Sequence, residues 1–321
     1  MADCKKPKIF AVVGPTASGK SALALSLAKK LGGEILSCDS MQIYRGMDVG
    51  TAKPTKDEQA MIPHHLIDIA SPKENYSCFS YLQEAKRAVD DLLLRGKLPI
   101  FCGGTGLYLD RFLSGGLDEE TPTDPALRAR LEREANELGD AAMYERLLSV
   151  DPKAARATHP NNRKRVLRAL EIYESRGITK TELDAKTKEA VSPYDATVIG
   201  LRYADRKLLY QKIERRVDEM IENGLVEETK RLLDAGVFEA NPTAAQAIGY
   251  KELFPYLRGE KSLEDAVDNL KQATRRYAKR QMTWFMAKPY VKWIEADEAG
   301  QVRDLSELTA EAISLFGEDR P

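Results

Sequence analysis

The segment Gly14–Ser21 constrains the fold of this chain more than any other feature, because it matches the P-loop pattern G-x-x-x-x-G-K-[ST]. The apolar run Ile9–Val13 before it predicts a buried strand, and the sequence after Ser21 predicts a helix that stops at Gly32-Gly33. A strand, a glycine-rich turn and a helix N-terminus aim several backbone N–H groups at one point. We therefore predict a binding site for a di- or triphosphate here.

The predicted phosphate-binding residues are those of the motif itself. Lys20 adds a mobile cation to the loop, and the Ser21 hydroxyl is the predicted ligand of the Mg²⁺ ion that accompanies a pyrophosphate. The full predicted set is Gly14, Pro15, Thr16, Ala17, Ser18, Gly19, Lys20 and Ser21.

Composition excludes several classes of protein. The chain has 321 residues, of which 43% are hydrophobic and 31% charged, as expected of a soluble globular protein with one large domain or two. No stretch approaches the roughly 18 apolar residues of a membrane span, so we expect no membrane partner. The run Ile9–Val13 is too short for a signal peptide and leads directly into the P-loop.

The cysteines and histidines show neither a disulfide framework nor metal-ligand spacing. No C-x-x-C pair is present among Cys4, Cys38, Cys78 and Cys102, and no metal-binding pattern among His64, His65 and His159. We therefore expect free thiols in a reducing cytoplasm and no zinc site.

Strand-like runs and helical stretches divide the chain into three regions. Residues 1–117 alternate strands and helices and form the first part of a P-loop core, whereas strands are absent from 118–195, a predicted all-helical insertion. Residues 196–321 return to the core and are mostly helical. The predicted fold class is α/β, a P-loop NTPase-like parallel sheet flanked by helices, with strands at Ile9–Val13, Glu34–Cys38, His65–Ile69, Pro99–Cys102, Ala196–Leu201 and Val291–Ile294.

Four further motifs accompany the P-loop, namely Ser37–Tyr44, Gly46–Pro54, Gly103–Tyr108 and Ala278–Trp284. Together with Gly14–Ser21 they resemble the bacterial tRNA dimethylallyltransferases, also called tRNA isopentenylpyrophosphate transferases, in order and spacing. The resemblance implies transfer of a dimethylallyl group from dimethylallyl diphosphate to the exocyclic amine of adenosine at tRNA position 37, with release of pyrophosphate. Its implied partners are dimethylallyl diphosphate and the tRNA anticodon stem-loop, and the P-loop need not bind ATP.

The resemblance also implies the catalytic residues. Asp39, at the carboxyl end of the second strand, corresponds to the general base that takes the amine proton. Thr16 helps to hold the diphosphate, and Arg216 corresponds to the arginine that clamps the pyrophosphate. From the residues alone, Asp39 is open to two other interpretations: a carboxylate beside a magnesium ion or a helix cap.

Contacts with tRNA are implied in several separate parts of the sequence. The net charge is only −1, so RNA binding is indicated by local clusters of basic residues and not by the overall charge. One cluster lies at Arg163–Arg168, and another lies on a C-terminal helix where Lys271, Arg275 and Lys279 share one face. The target base must leave its stack to reach Asp39, and Gln42 is close enough in sequence to contact it. The residues implied are Asp39, Ser40, Met41, Gln42, Thr105, Arg128, Lys164, Arg165, Arg168, Gln246, Gly249, Tyr250, Lys251, Lys279 and Arg280.

Two other functions use the same P-loop. A small-molecule kinase would need an acidic residue on a Walker-B-type strand, for which Asp68 is the candidate. A prenyltransferase acting on free adenosine phosphates would share the donor site, but the basic insertion would be superfluous there.

Overall fold

The first part of the chain alternates strands and helices. The computed structural model describes residues 6–115, 124–189 and 191–317, so Cys4 lies outside the described residues. The elements up to residue 113 are β1 (Lys8–Val13), α1 (Lys20–Leu31), β2 (Gly33–Ser37), α2 (Lys56–Met61), β3 (His64–His65), α3 (Cys78–Leu94), β4 (Leu98–Gly103) and α4 (Gly106–Leu113).

Helices dominate the rest of the chain. Those between residues 125 and 189 are α5 (Pro125–Val150), α6 (Pro152–Arg156), α7 (Arg163–Arg176) and α8 (Lys180–Glu189). They are followed by β5 (Asp195–Arg202), α9 (Arg206–Glu222), α10 (Leu225–Asp234), α11 (Val237–Ala240), a 3₁₀ turn (Ala244–Gln246), α12 (Phe254–Leu257), α13 (Leu263–Met286), β6 (Val291–Glu295), β7 (Asp297–Glu298), β8 (Gln301–Val302) and α14 (Leu305–Gly317).

Six of the described strands form a parallel sheet with the order β3-β2-β4-β1-β5-β6, which confirms the predicted fold class, and β7 and β8 form a separate antiparallel pair. Strand β1 is central, with Val12 beside Cys102 on one side and Ile199 on the other. The predicted strand His65–Ile69 was wrong in extent, because Leu66 and Asp68 adopt positive φ angles of 64° and 56° and end the strand after His65.

Helix α1 covers this sheet with the apolar face that its sequence predicts. Leu23 and Leu27 are fully buried against a core that includes Phe10, Ile100 and Ile199. Burying one such leucine contributes about 1.5–3 kcal/mol, so the face of α1 fixes the loop before it to the sheet.

The chain divides into two compact units. One contains the residues up to Phe112 and those from Tyr194 onward, and the other contains Leu113–Pro193. The smaller unit has a core of its own in which Leu131, Leu147 and Leu167 are fully buried.

Two local features shape the helices of the smaller unit. Helix α5 is interrupted at Gly139, whose φ of 86° and ψ of 161° are outside the helical region. Asp151 is 4% exposed and caps α6 by accepting from the Ala154 N–H, and it also accepts from the N–H and hydroxyl of Thr181. In the described parts of the chain, no helix is both long enough and apolar enough to cross a membrane.

Candidate active site

A cavity of about 270 Å³ lies at the carboxyl ends of the parallel strands in the larger unit. This is the edge where open α/β sheets bind their ligands. Its wall combines the P-loop, the segment after β2, helix α9 and helix α13. Among the predicted residues it brings together are Thr16, Lys20, Ser21, Asp39, Ser40, Met41, Gln42, Arg216, Gln246, Gly249, Lys251 and Arg280.

The P-loop adopts the strained backbone that a phosphate-binding turn requires. Gly14 has a φ of 141°, and a Cβ there would come within 2.7 Å of the Leu201 carbonyl oxygen. Gly19 has a φ of 94°, and Ala17 reaches 63° although it is not a glycine. The loop therefore holds a conformation that costs free energy, which is typical of a functional site.

Two basic side chains enter the cavity with little solvation. Burial, and to a smaller extent the neighbouring Arg216, together lower the pKa of Lys20 to about 8. Burial also lowers the pKa of Arg216, while the negative charge of Asp39 opposes that shift. Lys20 donates a hydrogen bond to the Pro15 carbonyl oxygen at 3.2 Å. A bound diphosphate would relieve the repulsion between these two cations.

Asp39 is held by its own loop with one carboxylate oxygen available. Its Oδ1 accepts from the Met41 N–H at 2.9 Å, and within the described chain Oδ2 has no hydrogen-bond partner. Thr105 fixes the segment, because its Oγ1 accepts from the Ser40 N–H at 3.0 Å and its own N–H donates to the Cys38 carbonyl. Asp39 therefore presents one oxygen to the cavity that contains Lys20.

Gln281 joins the P-loop to the loop after β4, a role that sequence reasoning missed. Its Oε1 accepts from the Thr16 N–H at 2.8 Å and its Nε2 donates to the Gly104 carbonyl at 3.2 Å. A Cβ on Gly104 would lie 1.9 Å from that nitrogen, and a Cβ on Gly106 would lie 2.2 Å from the Trp284 ring. The glycines of one motif thus make room for the side chains of another.

Gln42 is oriented by the protein before any ligand arrives. Its Nε2 donates to the carbonyl oxygens of Thr51 and Ala52, at 3.2 and 3.1 Å, and its Oε1 accepts from the Ser37 hydroxyl at 2.7 Å. Both amide protons are therefore used within the site, and the predicted contact of Gln42 with tRNA stays a prediction.

The Gln246–Lys251 segment requires one correction. Gln246, Gly249 and Lys251 line the cavity, but the side chain of Tyr250 is completely buried and its hydroxyl donates to Glu228 at 2.8 Å. The predicted contact of this side chain with tRNA is therefore wrong, because tRNA cannot reach a fully buried ring.

A second cavity, of about 860 Å³, adjoins the first. Lys20, Ser21 and Arg216 line both cavities, and so does Met220, one helical turn after Arg216. The larger cavity adds further basic side chains, namely Lys53, Lys56, Lys212 and Arg215. A ligand bound at the P-loop can therefore be reached from either cavity.

The basic stripe predicted on α13 is partly neutralised. Lys271 and Arg275 pair with Asp218 and Glu214 of α9 at 2.6 and 2.7 Å, because the two helices pack side by side. Lys279 is exposed, as is Arg280.

The remaining predicted basic residues belong to the smaller unit. Arg128 and Arg168 both contact the buried carboxylate of Glu171, at 3.5 and 3.2 Å. Lys164 and Arg165 are exposed, and neither takes part in an ion pair within the described part of the chain.

The arrangement defines a P-loop transferase, with cations for a diphosphate and a carboxylate in one cavity. A family model described as IPP transferase matches residues 42–288, and one described as isopentenyl transferase matches residues 7–68. A tRNA dimethylallyltransferase from Caldanaerobacter subterraneus subsp. tengcongensis is 47% identical over 96% of this chain and 98% of its own. The chain belongs to the tRNA dimethylallyltransferase family.

Solved structures agree with this assignment. The chain resembles a full-length tRNA isopentenylpyrophosphate transferase from Bacillus halodurans, with 42% identity, 98% of each chain covered and a TM-score of 0.70. It also resembles a eukaryotic dimethylallyltransferase acting on tRNA, with 31% identity, 98% of this chain and 80% of that chain covered and a TM-score of 0.83.

Proposed function

We propose that the protein transfers a dimethylallyl group from dimethylallyl diphosphate to the exocyclic amine of adenosine at tRNA position 37, releasing pyrophosphate. The observation that carries this proposal is that Lys20, Arg216 and Asp39 face one cavity. An anionic leaving group and a proton-accepting carboxylate are the two groups that this alkylation requires.

The P-loop residues hold the diphosphate and stabilise the charge that develops as it leaves. The bond between the allylic carbon and the diphosphate oxygen breaks, and the lone pair of the adenine amine forms the new carbon–nitrogen bond. Lys20 and Arg216 neutralise the departing pyrophosphate, and Thr16 helps to hold it. Asp39 takes the amine proton on Oδ2, the oxygen that no described group occupies.

The two cavities suggest separate entries for the two substrates. The donor enters through the larger cavity, where Lys56 and Lys212 add positive charge that attracts a diphosphate. Lys53 and Arg215 are already paired with carboxylates there. The adenine, flipped out of its stack, enters the cavity that contains Asp39. Both reach the P-loop residues Lys20 and Ser21, which line the two cavities.

Magnesium belongs to this proposal through Ser21. Ser21 is exposed and lines both cavities, and its hydroxyl would offer one oxygen ligand to an ion that the diphosphate and water also bind. The described residues contain no cluster of three His, Cys, Asp or Glu side chains suited to a metal ion. The ion would assist the departure of pyrophosphate, and the protein would hold it mainly through the substrate.

The anticodon stem-loop contacts the exposed basic residues in this proposal. Lys164 and Arg165 are the strongest candidates in the smaller unit, since neither is neutralised by a described acidic partner. Replacing both with Ala should reduce the slope of log affinity against log salt by roughly 1.4–1.8. An unchanged slope, measured by salt titration of tRNA binding, would exclude both residues from the interface. The proposed tRNA substrate supports a cytoplasmic location for the protein.

Asp68 does not supply the acidic residue that the kinase alternative needs. Asp68 follows the end of β3 in a positive-φ conformation, and its carboxylate pairs with the buried ammonium of Lys53 at 2.5 Å. It is therefore already neutralised, unlike a Walker-B aspartate that coordinates magnesium.

One assay separates the proposed function from its alternatives. The protein is incubated with Mg²⁺, dimethylallyl diphosphate and either an unmodified anticodon stem-loop or adenosine monophosphate, and the nucleosides are analysed by mass spectrometry. We expect prenylated adenosine only with the RNA. Prenylation of the free nucleotide, or phosphate transfer from ATP to a small acceptor at a higher rate, would overturn the proposal.

A further inference from the structure

The motif Gly46–Pro54 forms an irregular loop that contributes one wall of the active-site cavity. Gly50 and Thr51 line the cavity that contains Asp39 and not the larger cavity, whereas Asp48, Val49 and Lys53 line only the larger one. Irregular segments have low intrinsic order, so a wall of this kind needs attachments elsewhere in the molecule.

A single buried carboxylate provides the main attachment. Glu228 of α10 is 7% exposed, and its two oxygens accept hydrogen bonds from three consecutive backbone N–H groups, those of Asp48, Val49 and Gly50, each at 3.0 Å. Consecutive amides in such a concave arrangement form a nest that is suited to an anion. Here the protein fills the nest with its own side chain.

Tyr250 completes the coordination of this carboxylate. Its hydroxyl donates to Glu228 Oε1 at 2.8 Å, so each carboxylate oxygen accepts two hydrogen bonds. A Cβ on Gly50 would lie 2.5 Å from the Tyr250 ring, and one on Gly249 would lie 3.3 Å from the Gly50 carbonyl oxygen. The glycines therefore allow the loop to sit directly on the ring.

The attached loop in turn orients groups beside Asp39. The carbonyls of Thr51 and Ala52 hold the amide of Gln42, whose Oε1 accepts from Ser37 at the end of β2. Glu228 is therefore connected to the segment that carries Asp39 by hydrogen bonds and by the short stretch of backbone from Gly50 to Ala52. The P-loop is not part of this connection.

We propose that Glu228 is a positioning residue for prenyl transfer, which acts by holding Gly50 and Thr51 of the Gly46–Pro54 loop against the cavity that contains Asp39. This inference rests on the proposed function. It predicts that loss of the carboxylate impairs the reaction of the bound adenosine while binding of the diphosphate is preserved. A purely structural role predicts that both decline together with stability.

The test compares Glu228→Gln with Glu227→Gln, a matched change at the exposed preceding residue. An amide has one acceptor oxygen and turns an N–H₂ group toward the nest, so some of the four bonds are lost. We expect kcat for an anticodon stem-loop to fall by about 10- to 100-fold, because displacing a reacting group by about 1 Å can reduce the rate by this much. The KM for dimethylallyl diphosphate and the Kd for pyrophosphate should stay within about twofold of the control.

A second readout does not depend on catalysis. Hydrogen exchange at the amides of Asp48, Val49 and Gly50 should be faster in Glu228→Gln, while exchange in the P-loop should be unchanged. Tyr250→Phe removes one of the four bonds and should show the same pattern with a smaller loss of kcat. It serves as the primary variant if Glu228→Gln does not fold.

The outcomes are distinguishable. The inference is overturned if kcat matches the Glu227→Gln control, or if pyrophosphate affinity falls in parallel with kcat. If the wild-type protein does not prenylate the RNA, the proposed function itself fails, and the exchange experiment then reports only on the attachment of the loop.

Discussion

Replacing Gln281 with leucine should uncouple the P-loop from the loop after β4. The side chain is 5% exposed and makes two hydrogen bonds, with the Thr16 N–H and the Gly104 carbonyl. Leucine occupies a similar volume but can make neither bond. Each lost bond costs about 1 kcal/mol, and the buried Gly104 carbonyl left without a donor adds about 1–2 kcal/mol. We therefore expect a loss of about 3–4 kcal/mol in the free energy of unfolding.

The measurement needs a control for the hydrophobic substitution itself. Gln272→Leu lies on the exposed face of the same helix α13 and provides it. Urea unfolding should separate the two variants by about 3 kcal/mol, and calorimetry should show pyrophosphate affinity about tenfold lower in Gln281→Leu, because the Thr16 backbone is no longer held. A difference under about 0.5 kcal/mol, with unchanged pyrophosphate affinity, would refute the bridging role.

Three further predictions concern charged groups. Asp39→Asn should lower kcat by about 10²–10⁴-fold in single-turnover assays with pyrophosphate affinity intact, and a near-normal rate would remove Asp39 as the base. Because the pKa of Lys20 is lowered to about 8, its positive charge is lost as the pH rises through that value. Pyrophosphate affinity, measured by calorimetry, should fall by up to about tenfold per pH unit above this point, whereas Lys20→Arg should show a weaker dependence. Hydrogen bonds from Arg95, and then from His65, lower the pKa of Glu34 to about 2 against the opposing effect of burial. The ionised Glu34 carboxylate should therefore contribute about 3 kcal/mol to the free energy of unfolding above about pH 4.5, and this contribution should be lost toward pH 2. Urea unfolding should show this loss in the wild type, and an equal loss in Glu34→Gln would contradict the assignment.

Local sequence determined the parts of the molecule whose interactions are local. The P-loop, the strand before it and helix α1 after it follow from glycine positions and apolar periodicity within about 25 residues. Strand order and the exact ends of strands did not follow in the same way. Leu66 and Asp68 end β3 with positive φ angles, and because neither is a glycine the sequence did not predict this.

The tertiary structure decided which side chains serve the site directly and which support it. Nothing in the sequence near Tyr250 or Glu228 indicates that the two meet beneath the loop at Gly50. Similarly, helical spacing predicted a basic face on α13, but Lys271 and Arg275 are paired by carboxylates of α9. Gln281 reaches the P-loop across 265 positions of chain. Such pairings depend on how separate elements pack, and a pattern within one element contains no information about the residues that another element brings against it.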